Sequence, residues 1–202
     1  LSSDDPIVVD AATGQLVAKG KARLEYGDLL LLADEIRYQK ENGKATATGN
    51  AILTFHEYRI LADELIYELK GRNFSAANVR FGRYPLAGTS DSLAGSLDGL
   101  SRAHNATIFL FGPTPLEPNL TVRVLEYNAT SGSLKAEKTR LRIGRQSIIG
   151  LPTIKTRRAE SPIQLRFSGG HDDQLGASLE IGALFSVRPD LLIGGSLEGY
   201  TK

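Results

Sequence analysis

Apolar and polar residues alternate along most of this chain, and a period of two predicts β-strands. Ala22, Leu24 and Tyr26 alternate with Lys21, Arg23 and Glu25, the pattern of a strand with one face against a core. Ala51, Leu53 and Phe55 keep the same parity further along. Turn signals lie between the strands: Tyr26-Gly27-Asp28, then Glu41-Asn42-Gly43-Lys44, whose Asn-Gly pair suits a tight hairpin. Weaker alternation predicts strands over Phe74 to Phe81, Leu93 to Leu100, Thr107 to Phe111, Leu120 to Tyr127, Leu134 to Ile143 and Ser147 to Ile149. Pro85 to Ser92, and Gly112-Pro113-Thr114-Pro115 with Pro118, read as loops. Glycine recurs every few residues at a cost of about 1 kcal/mol in a helix interior, so helix is not expected. Roughly ten or more short strands should precede residue 158.

Two segments repeat at a fixed offset. Gly20-Lys21-Ala22-Arg23-Leu24-Glu25-Tyr26 is matched by Gly49-Asn50-Ala51-Ile52-Leu53-Thr54-Phe55. Leu32-Ala33-Asp34-Glu35-Ile36-Arg37-Tyr38 is matched by Leu61-Ala62-Asp63-Glu64-Leu65-Ile66-Tyr67. The differences 49−20, 62−33 and 67−38 all equal 29. A constant period of this size marks an array in which one supersecondary unit stacks on the next.

Gly-x-Ala-x-Leu followed by Leu-Ala-Asp-Glu-Ile/Leu-x-Tyr, twice in register, resembles the OstA-like domains of the lipopolysaccharide-transport family. The likeness is close over residues 16–81 and looser to residue 158. It implies an all-β fold, a repeated-strand jelly roll or solenoid-like sandwich over residues 1–158. It implies a non-enzymatic lipid conduit in the periplasm or outer membrane of a Gram-negative bacterium, with no cofactor. Ala22, Leu24, Tyr26, Leu32, Ile36, Tyr38, Leu53, Phe55, Leu61, Leu65 and Tyr67 would then line an apolar trough for acyl chains. The partners implied are lipopolysaccharide, the periplasmic bridge protein of that system and an outer-membrane lipoprotein plug. The bridge protein would add edge to edge at a strand around Ile7, Val8 and Val9. The same apolar positions also fit an ordinary packed core. Asp34 and Asp63 share parity with Leu32 and Leu61, so either a bulge shifts the parity there or the aspartates sit at an open rim.

The last forty or so residues, 159–202, carry a different signal. Ile163, Leu165 and Phe167 alternate with polar residues, and Leu175, Ala177, Leu179, Ile181, Ala183, Phe185 and Val187 hold consecutive odd positions. After a turn at Arg188-Pro189-Asp190 the alternation resumes through Leu191, Ile193 and Leu197. Strands of about ten residues with one apolar face are the mark of outer-membrane barrels. We expect the first strands of such a barrel, although a hairpin over a soluble core has the same pattern. Ile148-Ile149-Gly150-Leu151-Pro152 resembles the link between periplasmic domain and barrel in the family. With no methionine and Leu1 first, the chain reads as a piece of a longer protein.

Composition removes several chemistries. A net charge of +1 argues against a dedicated nucleic-acid binder. The absence of cysteine removes disulfides, thiolate metal sites and cysteine nucleophiles. His56, His104 and His171 have no second ligand at metal spacing, so no metal site is expected. A basic band of Lys135, Lys138, Arg140, Arg142, Arg145, Lys155, Arg157 and Arg158 faces only Glu137. Within it, Lys138, Arg140, Arg142 and Arg145 are candidate contacts for anionic head groups, or simply a solvated strand face. Two other functions compete with lipid transport. A structural or adhesive solenoid spacer would have a closed interior. A carbohydrate-active enzyme would use the recurring Asp34/Glu35 and Asp63/Glu64 pairs.

Overall fold

The computed structural model describes residues 1–83, 86–109, 118–144, 146–156, 163–188 and 191–201. Among them the chain is all-β, with no helix. The strands are β1 (Val8–Val9), β2 (Leu16–Tyr26), β3 (Leu29–Gln39), β4 (Lys44–Phe55) and β5 (Tyr58–Glu68). Then come β6 (Asn73–Arg83), β7 (Leu86–Ser96), β8 (Leu100–Phe109), β9 (Pro118–Asn128), β10 (Ser133–Glu137) and β11 (Thr139–Ile143). The last are β12 (Gln146–Leu151), β13 (Ile154–Thr156), β14 (Ile163–Asp172), β15 (Gly176–Arg188) and β16 (Leu191–Tyr200).

β2 to β10 follow one another as an antiparallel meander, with β1 on the edge of β2 and β13 on the edge of β10. β10 and β11 both pair with β9, Glu137 opposite Val124 and Arg140 opposite Thr121. They are one strand interrupted at Lys138. β12 and β13 are interrupted in the same way, pairing with β11 and β10 respectively. β14, β15 and β16 form a separate antiparallel sheet of three strands.

β3, β5 to β9 and the β10–β11 strand each change parity at one point. These points lie in register with bends in β2 and β4, where the step is four and Ala18 and Ala22, like Ala47 and Ala51, keep one parity. In β3 the buried side chains are Leu29, Leu31 and Ala33, then Ile36. The same step of three joins Ala62 to Leu65, Ala76 to Val79, Ser90 to Leu93, Ala103 to Ala106, Val122 to Leu125 and Ala136 to Thr139. In a regular strand residues three apart face opposite ways. Here both face inward, because two consecutive residues turn outward at a bend. In β2 and β4 the bend holds an extra residue, shifting the register between Lys19 and Ala22 and between Thr48 and Ala51.

The bend is built from left-handed residues on alternate strands. Gly20 (φ 72°) and Lys21 (49°) lie on β2, Gly49 (74°) and Asn50 (48°) on β4, Asn78 (53°) on β6 and Asn105 (51°) on β8. Lys138 (52°) lies at the β10–β11 break. Asparagine tolerates this region better than other residues with a Cβ. Each asparagine amide also donates to an aspartate on the preceding strand: Asn50 to Asp34 (2.9 Å), Asn78 to Asp63 (2.9 Å) and Asn105 to Asp91 (2.7 Å). A Cβ at Gly49 would fall against the Asp34 carboxylate, so glycine is required there twice over.

These bends align into a crease, and the sheet folds along it. A strand of 11 residues, such as β3, spans about 36 Å. Yet Asp28, in the β2–β3 turn, lies 3.2 Å from Arg72, in the β5–β6 turn at the opposite end of the strands. Tyr58 at the start of β5 likewise meets Tyr127 near the end of β9, hydroxyl to hydroxyl at 3.0 Å. Such contacts require the two halves of the sheet to face each other, and one hydrophobic cluster fills the space between them.

Several sequence expectations are corrected. Residues 86–92, read as loop, belong to β7, which runs through Leu93 to Ser96 before a turn leads to β8 at Leu100. Pro118, also read as loop, opens β9. Leu134 to Ile143 is not continuous but broken at the crease. Pro85, the Gly112–Pro115 run and the Pro189-Asp190 turn lie outside the described residues, as do Phe111, Arg157 and Arg158.

Asn50→Val should lower stability by about 1–2 kcal/mol, because a β-branched residue resists the left-handed conformation. Asn50→Gly should stay close to the parent. Urea denaturation midpoints of the two variants check this difference.

Candidate functional site

The space between the halves of the sheet is graded in side-chain size. Ala22, Ala33, Ala51, Ala62, Ala76, Ala103, Ala106 and Ala136 flank the crease on its inner side. One step outward come Leu24, Leu31, Leu53, Ile60, Phe74, Leu120 and Leu141. Tyr67, opposite Phe74, and the partly buried Tyr38 stand at this same level, and beyond it, toward the free ends of the strands, come Leu29 and Phe55. Alanine predominates where the walls converge, although Ile36, Leu65 and Leu125 also flank the crease, and larger side chains fill the space where the walls diverge. The result is an apolar wedge running across the strands, its apex at the crease and its mouth at the strand ends.

Of the candidate lining residues, Ala22, Leu24, Ile36, Leu53, Phe55, Leu65 and Tyr67 face inward and are at most 6% exposed. Tyr38 also faces inward but is half-buried. Three are corrected. Leu32 and Leu61 lie half-buried on the outer face, opposite Ile52 of the intervening strand. The crease reverses parity between them and Ile36 or Leu65, so Ala33 and Ala62 take the inward positions. Tyr26 is 55% exposed, since it ends β2 where β1 covers only Leu16 and Val17. The spacing of three between Ala33 and Ile36, and between Ala62 and Leu65, was the signal in the sequence for this shift.

The mouth is closed by polar groups from both sets of strand ends. Asp28 Oδ2 lies 3.1 Å from His56 Nε2, both on turns at one end. From the other end Arg72 donates to Asp28 (3.2 Å) and pairs with Asp98 (3.1 Å). The Arg72 guanidinium stands 4.6 Å over the Phe55 ring, against which the His56 ring also packs at 4.2 Å. Beneath them Tyr67 is fully buried and its hydroxyl has no hydrogen-bond partner. Burial pushes its phenol above the ordinary value, with the Arg72 charge opposing.

The outer face carries short charge ladders. Lys19 and Arg37 both reach Glu35 (3.3 and 2.6 Å). Partial burial works against the charge on Glu35, but these two donors outweigh it and hold the carboxyl below its usual value. Arg102 binds Glu126, which also meets Lys135 (3.6 Å), and Lys135 pairs with Glu137 (2.5 Å). The hydrogen bond from Arg102 is the main reason the Glu126 carboxyl is lowered. A groove of about 300 Å³ beside this ladder is lined by Leu100, Glu126, Asn128, Ser133, Leu134, Lys135 and Lys155.

The candidate head-group residues are spread out. Lys138 is exposed on the crease, while Arg140 and Arg142 share the outer face of β11, the first exposed and the second half-buried. Lys138 and Arg140 make no ion pair among the described residues. Arg145 lies outside the described residues. At the other edge of the sheet Ile7, Val8 and Val9 are exposed (42%, 60% and 60%), and Val8 and Val9 form β1. No group of three metal-ligating side chains lies together among the described residues.

Comparison with known proteins adds no family: no protein-family model matches the chain, and no curated protein matches it in sequence.

Two measurements test this geometry. Ala51→Leu, which inserts a large group at the apex, should cost about 1–3 kcal/mol, whereas Leu53→Met in the wider layer should cost less than about 1.5 kcal/mol. Calorimetric melts of the two compare them directly. Glu35 and Glu126 have folded pKa values below their unfolded ones, so their stabilisation is complete above the ordinary glutamate range and lost as pH falls through the folded values. Glu35→Gln should therefore flatten the acid limb of stability against pH, read as urea midpoints at successive pH values.

Proposed function

We propose that the chain is a non-enzymatic lipid conduit of the OstA-like type. It would pass lipopolysaccharide across the periplasm toward the outer membrane and help its assembly there. The observation that carries this reading is the apolar wedge, a single inner face continued from strand to strand along the whole creased sheet. Such a face offers acyl chains equivalent positions at each strand, which favours sliding over trapping. Each CH₂ kept from water is worth about 0.8 kcal/mol, so a multi-chain lipid gains from a sheltered path. In this reading the folded sheet is a β-jelly roll, and β14–β16 are the first strands of an outer-membrane barrel, as in LptD. Strands of 10 and 13 residues are long enough to cross a bilayer with tilt.

The partners follow the same reading. The β1 edge at Ile7–Val9 would receive a strand of the periplasmic bridge protein, and an outer-membrane lipoprotein would plug the barrel. Lys138, Arg140 and Arg142 would meet anionic head groups. The carboxylates that recur in each repeat favour a structural role over a catalytic one, since Asp34 and Asp63 are each held by an asparagine of the crease. A spacer or adhesion module is the second reading. It is favoured by the close burial of the inner face, with Leu31, Ile36 and Leu65 all at 0% exposure.

A photoreactive phenylalanine analogue at Phe55, which faces inward, and separately at Thr54, which faces outward, decides between them. Lipopolysaccharide adducts in Gram-negative cells at position 55 and not at 54 are the expected result. A folded protein with no adduct at either position would leave the wedge as an ordinary core and give the spacer reading precedence.

A further inference from the structure

We infer that Arg72 is the bolt of a latch that holds the mouth of the wedge shut, and that the two walls part there about the crease. The inference rests on the conduit reading for its purpose, though not for its geometry. The inner face is fully occupied by the chain's own side chains, with Leu53 at 1% and Leu65 and Tyr67 at 0% exposure. An acyl chain cannot enter a space filled in this way unless the walls separate. Separation of the walls leaves most main-chain pairing intact. The ladder hydrogen bonds run from strand to strand within each wall, and none needs to cross the wedge. The crease already interrupts the ladder, as between Leu32 and Glu35 on β3, so it is the natural hinge line.

What does cross the mouth is polar and placed at the strand ends. Arg72 enters from one side and engages Asp28 and the Phe55 ring on the other, while Asp98 braces it from its own side. His56 supports Asp28 from the neighbouring turn. Tyr58 and Tyr127 add a second tie further along the mouth. Asp28, His56 and Asp98 have side chains 43%, 60% and 54% exposed, so each ion pair is screened by water and individually weak. Arg72 is less exposed, at 34%, and in this cluster it makes the contacts that cross the mouth, to Asp28 and to the Phe55 ring. Removing it therefore releases both crossing contacts of this cluster together, while leaving the apex untouched. Tyr67, buried beneath Arg72 with its hydroxyl unsatisfied, is a group that gains a partner when the mouth admits water or a polar ligand.

The chain has no cysteine, so single cysteines report opening without background. Cysteine would be placed at Leu53 in the middle of the wedge and, separately, at Ala47 beside the crease, and its rate of reaction with a small maleimide measured on the folded chain. Arg72→Ala should raise the rate at position 53 by about tenfold, equivalent to about 1.4 kcal/mol of opening, with little change at position 47. Arg72→Lys, which keeps charge but loses the fork that joins two carboxylates, should fall between. Equal rates at position 53 with and without Arg72 would overturn the latch. A rise at both positions would overturn it too, since that is general unfolding. In a second arm, Asp28→Cys and Asp98→Cys would be joined by a cleavable bis-maleimide, and lipopolysaccharide adducts at Phe55 scored before and after cleavage. Adducts that appear only after cleavage support the latch, and adducts undiminished by the bridge refute it. Absence of adducts in every form counts against the conduit reading alone, and the labelling rates still decide the latch.

Discussion

A strand that turns a corner must keep its apolar residues on the inside of the turn, and a strict period of two does not allow that. The solution here is a break at the same level in every long strand, a step of three in most and an extra residue in β2 and β4. Two successive residues face outward at the bend, as Asp34-Glu35 do on β3 and Asp63-Glu64 on β5. The backbone stress of the bend collects on alternate strands, where Gly49-Asn50, Asn78 and Asn105 adopt left-handed conformations. Each asparagine is then tied to an aspartate of its neighbour, so the bends stay in register. The packing follows from the corner: mostly alanine beside the bend, with larger aliphatic and aromatic side chains toward the strand ends.

The strand content and the repeat were legible in the sequence, because a 29-residue offset carries the alternation, the turns and the Ala-Asp motif together. The crease was visible only as an anomaly, Asp34 and Asp63 standing on what looked like an apolar face. Of the two explanations open for it, the bulge is the one realised, and the aspartates lie on the outer side of the bend. Misreading that step sent Leu32 and Leu61 inward and left out Ala33 and Ala62. A single residue of slip exchanges the two faces of a strand, so a local irregularity decides the whole lining downstream. The contacts across the mouth could not be foreseen at all. They join residues such as Asp28 and Arg72, 44 positions apart, and depend on the sheet having folded first.

The two edges of the folded sheet are finished differently. At the start of the chain, residues 2–9 cover β2 only in part, through the two-residue β1 and an isolated bridge between Ser2 and Arg23. At the far edge β12 is exposed along nearly its whole length, including Ile148 (43%) and Ile149 (51%). Unpaired edges invite further strands. Along the outer face between them, charged pairs such as Arg23 with Glu25 and Lys135 with Glu137 keep the surface polar. Such exposed pairs are screened by water and individually weak, so these ladders contribute register more than stability.

The division of labour between crease and mouth has an energetic consequence. At the apex the walls are joined by the chain running through the bends and by buried side chains packed beside them, and separating them would mean breaking strands. At the mouth the ties are a few water-exposed ion pairs, a cation over a ring and a pair of tyrosine hydroxyls. The stiffness of the structure therefore falls from crease to strand ends, and any motion of the walls has its largest amplitude where the aromatic side chains stand. In the proposed conduit, a lipid entering there would exchange one apolar neighbour for another, and the net cost would be confined to the polar ties. A closed barrel has no such gradient, because its walls are joined on both sides. The creased sheet keeps one side joined by covalent chain and the other by weak contacts, and that asymmetry is what the proposed conduit would need for a filled core to serve also as an entrance.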